Sequence, residues 1–248
     1  MVANGRWTWL ERQLGRWNVV DTAIAVIGVS IGLIFAVVVA PRPVAQVAVA
    51  GASITRTGQS DAERMAGGAA VLVQSHECVP LWATGTVLRS GIVVTNAHLL
   101  GGGTTFDVVT ADGRNHPTGH AQRSSDTDLA TGAVPSGVPA VGLDLASADP
   151  RPGDQVVIAG HPGGGPLRIR TASVVGARPG RGPDDPPTII RLDVHLLPGE
   201  SGSPVVGQDG RLEGVAYSTE HGTGQALIIP ASRIRHALTD VATATSRC

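Results

Sequence analysis

From residue 22 to residue 40 the chain reads TAIAVIGVSIGLIFAVVVA, 19 positions without a charge. At about 1.5 Å of rise per residue such a helix is roughly 28 Å long, close to the hydrocarbon thickness of a bilayer. A run that is apolar on every face has no water-facing side, so residues 22–40 are predicted to form a transmembrane helix. A cleaved signal peptide is the competing reading, because Ala48-Val49-Ala50 offers an A-x-A-like site, although its apolar region is usually only about 7–15 residues long. Ahead of the span, Trp7, Leu10, Leu14 and Trp17 share one helical face, with Arg6, Arg12 and Arg16 to its sides. Residues 1–21 therefore read as an amphipathic juxtamembrane helix. The arginines before the span favour a cytoplasmic N-terminus and a single-pass topology. The rest of the chain would be extracytoplasmic, touching membrane lipid only through the N-terminal helix.

Residues 41–66 carry no sustained period and are rich in small side chains, as a linker would be. From residue 67 the texture changes to short β-rich runs. These are AAVLVQS, GTVLR, GIVVTNA, TFDVVTA and DLATGAV, then QVVIAGH, LRIRTASVVG, TIIRLDVHL, SPVVG, RLEGVAYS and QALIIP. Two sets of about six strands, divided near residues 145–153, predict an all-β domain of two six-stranded barrels over residues 67–248. Ile234, Leu238 and Val241, at helical spacing behind Ser232 as cap, predict one C-terminal helix.

Composition narrows the core. Aromatic residues make up only 3% against 42% hydrophobic in all, so the interior must be built from Val, Ile, Leu and Ala. With 33 Gly and 17 Pro, many tight turns are expected. A formal net charge of −1 and the lack of any polybasic run give no reason to expect a nucleic-acid partner.

The candidate chemistry lies in three short stretches. Gly199-Glu200-Ser201-Gly202 places a serine among glycines ahead of an apolar strand, where the backbone must turn sharply and approach another group. A serine on such a turn can be a nucleophile, or merely part of a Gly/Ser turn. GIVVTNAHLLGG puts His98 just past an apolar strand, and RSSDTDLATGAV puts Asp128 at the threshold of another. Each alone reads more naturally as structural. Together, in the order His, Asp, Ser with spacings of 30 and 73 residues, they match one known order of the nucleophile–base–acid triad. His116 and His120 in HPTGH do not suit a metal pair, because Pro117 and Gly119 spoil helical geometry.

On these residues the chain resembles the trypsin-like (chymotrypsin-fold) serine proteases, in their bacterial HtrA-type branch and nearest to its membrane-anchored extracytoplasmic members. The resemblance covers residues 67–248. It implies a general base at His98, an orienting acid at Asp128, a nucleophile at Ser201 and an oxyanion hole made by the backbone N–H groups of Gly199 and Ser201. Protein or peptide substrates are implied, and neither cofactor nor metal. An inert binding module of the same fold, or an esterase with the same triad, are the alternatives. The usual Asp before the serine is Glu200 here, which together with a membrane-tethered N-terminus argues against activation by an inserted new N-terminus. The resemblance also puts the specificity pocket at Leu196, Leu197, Ser218 and Thr219, with no acidic residue at its base unless His195 or Glu220 intrudes. It further implies a disulfide between Cys78 and Cys248.

Overall fold

Strand β1 (Ala70–Ser75) alternates half-buried and buried side chains, turning Val71, Val73 and Ser75 inward, the period of a sheet with one solvated face. The computed structural model describes residues 59–75, 78–181 and 185–246, all within the unit Thr55–Cys248. The juxtamembrane segment, the span 22–40 and most of the linker lie outside the described residues. Among the described residues no helix is long and apolar enough to cross a membrane.

Six further strands follow β1 in the first half: β2 (Leu81–Val87), β3 (Ile92–Thr95), β4 (Thr105–Val109), β5 (Asn115–His120), β6 (Gln122–Ser124) and β7 (Ala130–Ala133). The second half supplies β8 (Gln155–Gly160), β9 (Arg168–Pro179), β10 (Thr188–Leu192), β11 (Pro204–Gly207), β12 (Leu212–Thr219) and β13 (Ala226–Pro230). These six close into a barrel in the order β10-β13-β12-β11-β8-β9. From the C-terminal tail, β14 (Val241–Thr243) returns to the first half by pairing with β6. It completes an eight-stranded sheet ordered β14-β6-β7-β3-β2-β1-β4-β5. The result is the expected all-β double-barrel architecture, with more strands in the first half than the sequence announced.

The extra strands have identifiable causes. HPTGH forms most of β5, an edge strand, and an edge tolerates Pro117 because its missing donor costs no ladder bond. Two helices flank the barrels, α1 (Asp61–Ala69) and α2 (Ala231–Ala237). The first begins inside the stretch read as linker. Ser60 caps it, its Oγ accepting from the Glu63 N–H while the Glu63 carboxylate accepts from the Ser60 N–H, a reciprocal capping box. Its buried stripe is only Ala62, Ala66 and Ala69, which is why the apolar pattern gave so little sign of it.

The C-terminal helix is present but shorter than expected. It starts after Pro230 and not at a Ser232 cap; Ser232 Oγ donates instead to Asp149 (2.6 Å). Val241 belongs to β14, because leaving the helix lets the tail satisfy its backbone groups on β6. Both helices pack on a core shared between the halves, where Ala66 and Ile234 join Leu88, Leu143, Leu212 and Ile229.

Candidate active site

Strand register brings His98 and Asp128 together. β3 and β7 are antiparallel neighbours with Thr95 opposite Ala130, so residues just after β3 face residues just before β7. The chain leaves β3 through a 3-10 turn, Ala97–Leu100, closed by Gly101 at φ 57°. There the His98 N–H donates to Asp128 Oδ1 (2.8 Å) and Nδ1 lies 2.5 Å from Oδ2. Asn96 Nδ2 and the Ala97 N–H bind the Asp128 carbonyl at 3.0 and 3.3 Å, so backbone and side chain of the acid are both fixed. The imidazole is 46% exposed while the carboxylate is only 15% exposed, leaving the far side of the ring open to the cleft. Asp126, two residues earlier, turns away to Arg233 and His236 of α2. Its pKa lies below the usual carboxylate range: burial opposes this, but the Thr127 hydroxyl and the Arg233 charge outweigh it.

Ser201 stands on a turn between β10 and β11 that the first half buttresses. Thr84 of β2 donates its N–H to the Ser201 carbonyl (3.0 Å) and its Oγ1 to the Gly199 carbonyl (2.9 Å). Thr86 Oγ1 donates to the Gly202 carbonyl (2.8 Å). These approaches explain the glycines. A Cβ on Gly199 (φ 91°) would lie 2.6 Å from the Gly163 nitrogen, and one on Gly202 (φ 82°) would lie 2.0 Å from the Thr84 carbonyl oxygen. Within the turn, the Glu200 N–H donates to Leu197 and the Ser203 N–H to Glu200. Among the described residues, no acceptor is found for the N–H of Gly199 or of Ser201. Ser201 Oγ donates to the Tyr217 carbonyl at 3.4 Å. Beside this turn, burial pushes the His161 pKa down, against a bond between its Nδ1 and the Gly165 carbonyl.

One cleft of about 1340 Å³ brings His98, Asp128 and Ser201 together with Leu196, Leu197, Ser218 and Thr219. Leu197 is exposed, whereas Leu196 is 6% exposed and packs into the second barrel's core. His195 also lines the cleft, its Nδ1 3.2 Å from the Gly224 carbonyl. Glu220 does not intrude. Its carboxylate is buried against Arg178 and Arg181 and accepts from Thr223 Oγ1.

Sequence reading placed the strand at Tyr217 in the pocket wall, but it missed Asp185, the segment Arg123 to Ser125 and the tail residues Ala242 to Thr245 as parts of the cleft. Tyr217 sits where the β12–β13 register shifts between Ala216 and Ser218, and such a bulge re-aims a side chain. Its ring meets His98 edge-on, centroids 6.5 Å apart at 68°. Cys78 is not a free thiol, and Cys248 lies outside the described residues.

Residues 83–215 match the family described as trypsin-like peptidase domain. The chain is 34% identical over 146 residues to serine protease Rv3671c of Mycobacterium tuberculosis, covering 55% of this chain and 36% of that protein. It is 31% identical over 154 residues to a probable periplasmic serine endoprotease DegP-like of Rhizobium meliloti, covering 59% and 30%. The chain thus spans about a third of the length of the curated relatives it matches. Among solved structures, the active form of the Rv3671c protease from M. tuberculosis superposes with a TM-score of 0.63 at 24% identity, covering 75% of this chain and 86% of that one. The HtrA-type protease AlgW with tripeptide gives 0.60 at 23% identity, covering 72% and 60%. These structures establish the chymotrypsin-like fold. The family match, over more than half of the chain and across both barrels and the turn that carries Ser201, makes this chain a member of the trypsin-like peptidase family.

Proposed function

We propose that the protein is a serine endopeptidase that cleaves protein or peptide substrates through an acyl-enzyme. His98 is the general base, Asp128 the orienting acid, Ser201 the nucleophile, and the Gly199 and Ser201 amides the oxyanion hole. The observation that carries this reading is the grip of one carboxylate on both the backbone N–H and Nδ1 of His98, in the same cleft as Ser201.

With Asp128 accepting at Nδ1–H, the lone pair of His98 is left on Nε2, facing substrate. Ser201 Oγ attacks the scissile carbonyl as Nε2 takes its proton. The oxyanion accepts from the two free amides, where removing one donor typically costs about 10²–10³ in rate. The imidazolium then protonates the leaving amine, which departs and leaves the acyl-Ser201 ester. Water, deprotonated by His98, attacks this ester, and the proton returns to Ser201 Oγ as the acid product leaves.

The reading extends to a membrane-anchored, extracytoplasmic enzyme, supported by the uncharged run at residues 22–40 and the arginines before it. A disulfide from Cys78 to Cys248 belongs to it too, supported by Cys78 not being a free thiol. The test is a fluorophosphonate probe followed by a peptide-library digest. Labelling of wild type but not of Ser201→Ala, with cleavage of peptides, is expected. Labelling without peptide cleavage would point to an esterase, and no labelling to an inert module.

A further inference from the structure

Glu200, directly before Ser201, is a wholly buried carboxylate. It accepts from Arg170 Nη2 at both oxygens (2.6 Å each) and from the Leu197 N–H (2.7 Å). Arg170 Nη1 donates to the His195 carbonyl at 2.8 Å. One guanidinium therefore grips two points of the segment that leads into Ser201. Arg170 can do this because β9 alternates: Ala172 and Val174 enter the second barrel's core, and the period of two puts Arg170 on the same face, toward the barrel's mouth.

A carboxylate is buried at such a place only if it is paired, and its pairing fixes the turn. The Glu200 N–H and carbonyl make the bonds to Leu197 and Ser203 that shape the peptide units on either side. Without a cation, the carboxylate would swing toward water and carry the Gly199 and Ser201 amides with it. The chain carries that cation itself, 30 residues before Glu200.

We infer that Arg170 is a positioning residue for the acyl-transfer site. By holding Glu200 inward it keeps the Gly199 and Ser201 amides free to receive the oxyanion, so the site is competent without any cleavage that creates a new N-terminus. This rests on the serine-peptidase reading above.

The experiment uses the full chain, its intact N-terminus checked by mass spectrometry, on a peptide substrate found in the library. Wild type is expected to be active unprocessed. Arg170→Ala is expected to lose about 10²–10³ in kcat with KM changed less than about threefold, and to lose inhibition by a peptide aldehyde, which needs the oxyanion site. Millimolar guanidinium should restore part of the kcat, an effect that a merely structural role would not give. Should Arg170→Ala not fold, Arg170→Lys keeps the charge but cannot span both Glu200 oxygens and the His195 carbonyl, and its kcat should fall at unchanged KM. Full kcat in whichever variant folds overturns the inference while leaving the peptidase reading intact. So does a wild type that labels with fluorophosphonate yet gains peptidase activity only after N-terminal trimming. A chain that never labels overturns the peptidase reading, and the inference with it.

Discussion

The Tyr217 hydroxyl donates to Asp185 Oδ1 at 3.3 Å, tying β12 to the segment between β9 and β10 beside the His98 ring. Asp185 is itself anchored by Arg178 and by the Arg181 N–H. A substrate strand laid along β12 presents alternate side chains to opposite faces. On the proposed reading, a cleaved residue held beside Leu197 and Thr219 would place the preceding residue toward His98 and Tyr217, which share the cleft. Tyr217→Ala should therefore relax selection there, raising kcat/KM for a bulky over a glycine residue by about 10-fold or more. Tyr217→Phe keeps the ring and should keep the selectivity. Matched peptide pairs measure both.

Asp128 and Asp126 are separated by their partners. Ser201→Ala and His98→Ala should abolish proteolysis with the fold retained. Asp128→Asn should leave a residue of activity near 10⁻⁴ of wild type, by analogy with the triad of known proteases. Asp126→Asn, whose carboxylate faces Arg233 and His236, should stay within about threefold of wild type in kcat/KM. Full activity in Asp128→Asn would mean the acid is misassigned.

On the proposed reading the cleaved residue would sit in the part of the cleft lined by Leu196, Leu197, Ser218 and Thr219, while Glu220 is held by arginines. A small or medium apolar residue is expected at that position, in preference to Lys or Arg. Dominant cleavage after Arg in the peptide library would refute this.

Glu213 has its pKa pushed up to about 7, first by burial and then by Asp209, Asp154 and Asp149. A carboxyl raised in the folded state binds its proton more tightly there than when unfolded. The stability it lends is complete below about pH 4.5 and is lost as pH rises through 7. Glu213→Gln should thus leave the melting temperature at pH 5 nearly unchanged and raise it at pH 8. Allowing for solvent screening of this half-buried group, the gain is ~1 kcal/mol, or about 3 °C. Melting curves at the two pH values test the sign.

A Cys78–Cys248 bridge would close a loop spanning nearly the whole catalytic domain, for which chain entropy gives at most about 5 kcal/mol. Non-reducing peptide mapping of the exported protein should find the linked pair, and reductant should lower the melting temperature, with activity lost only as the domain unfolds. Two freely alkylated thiols would exclude it.

The local patterns that sequence carries strongly were enough for the second barrel, because its strands are buried and rich in Val and Ile: QVVIAGH, SPVVG and QALIIP became β8, β11 and β13. The three proposed site residues were picked out by their combined order and by resemblance, since each alone reads as structural, and one cleft is lined by all three. What sequence could not determine were the relations between distant elements. α1 escaped because an alanine stripe carries little hydrophobic signal, and β14 because a strand at a chain end is defined only by the β6 edge it meets. The same holds within the site. That Glu200 is neutralised by Arg170, that Asp126 belongs to α2, and that a bulge aims Tyr217 at Asp185 all follow from strand register and barrel closure. Those place side chains far apart in sequence within hydrogen-bonding reach, and a charge has no preferred partner until the fold has put one there.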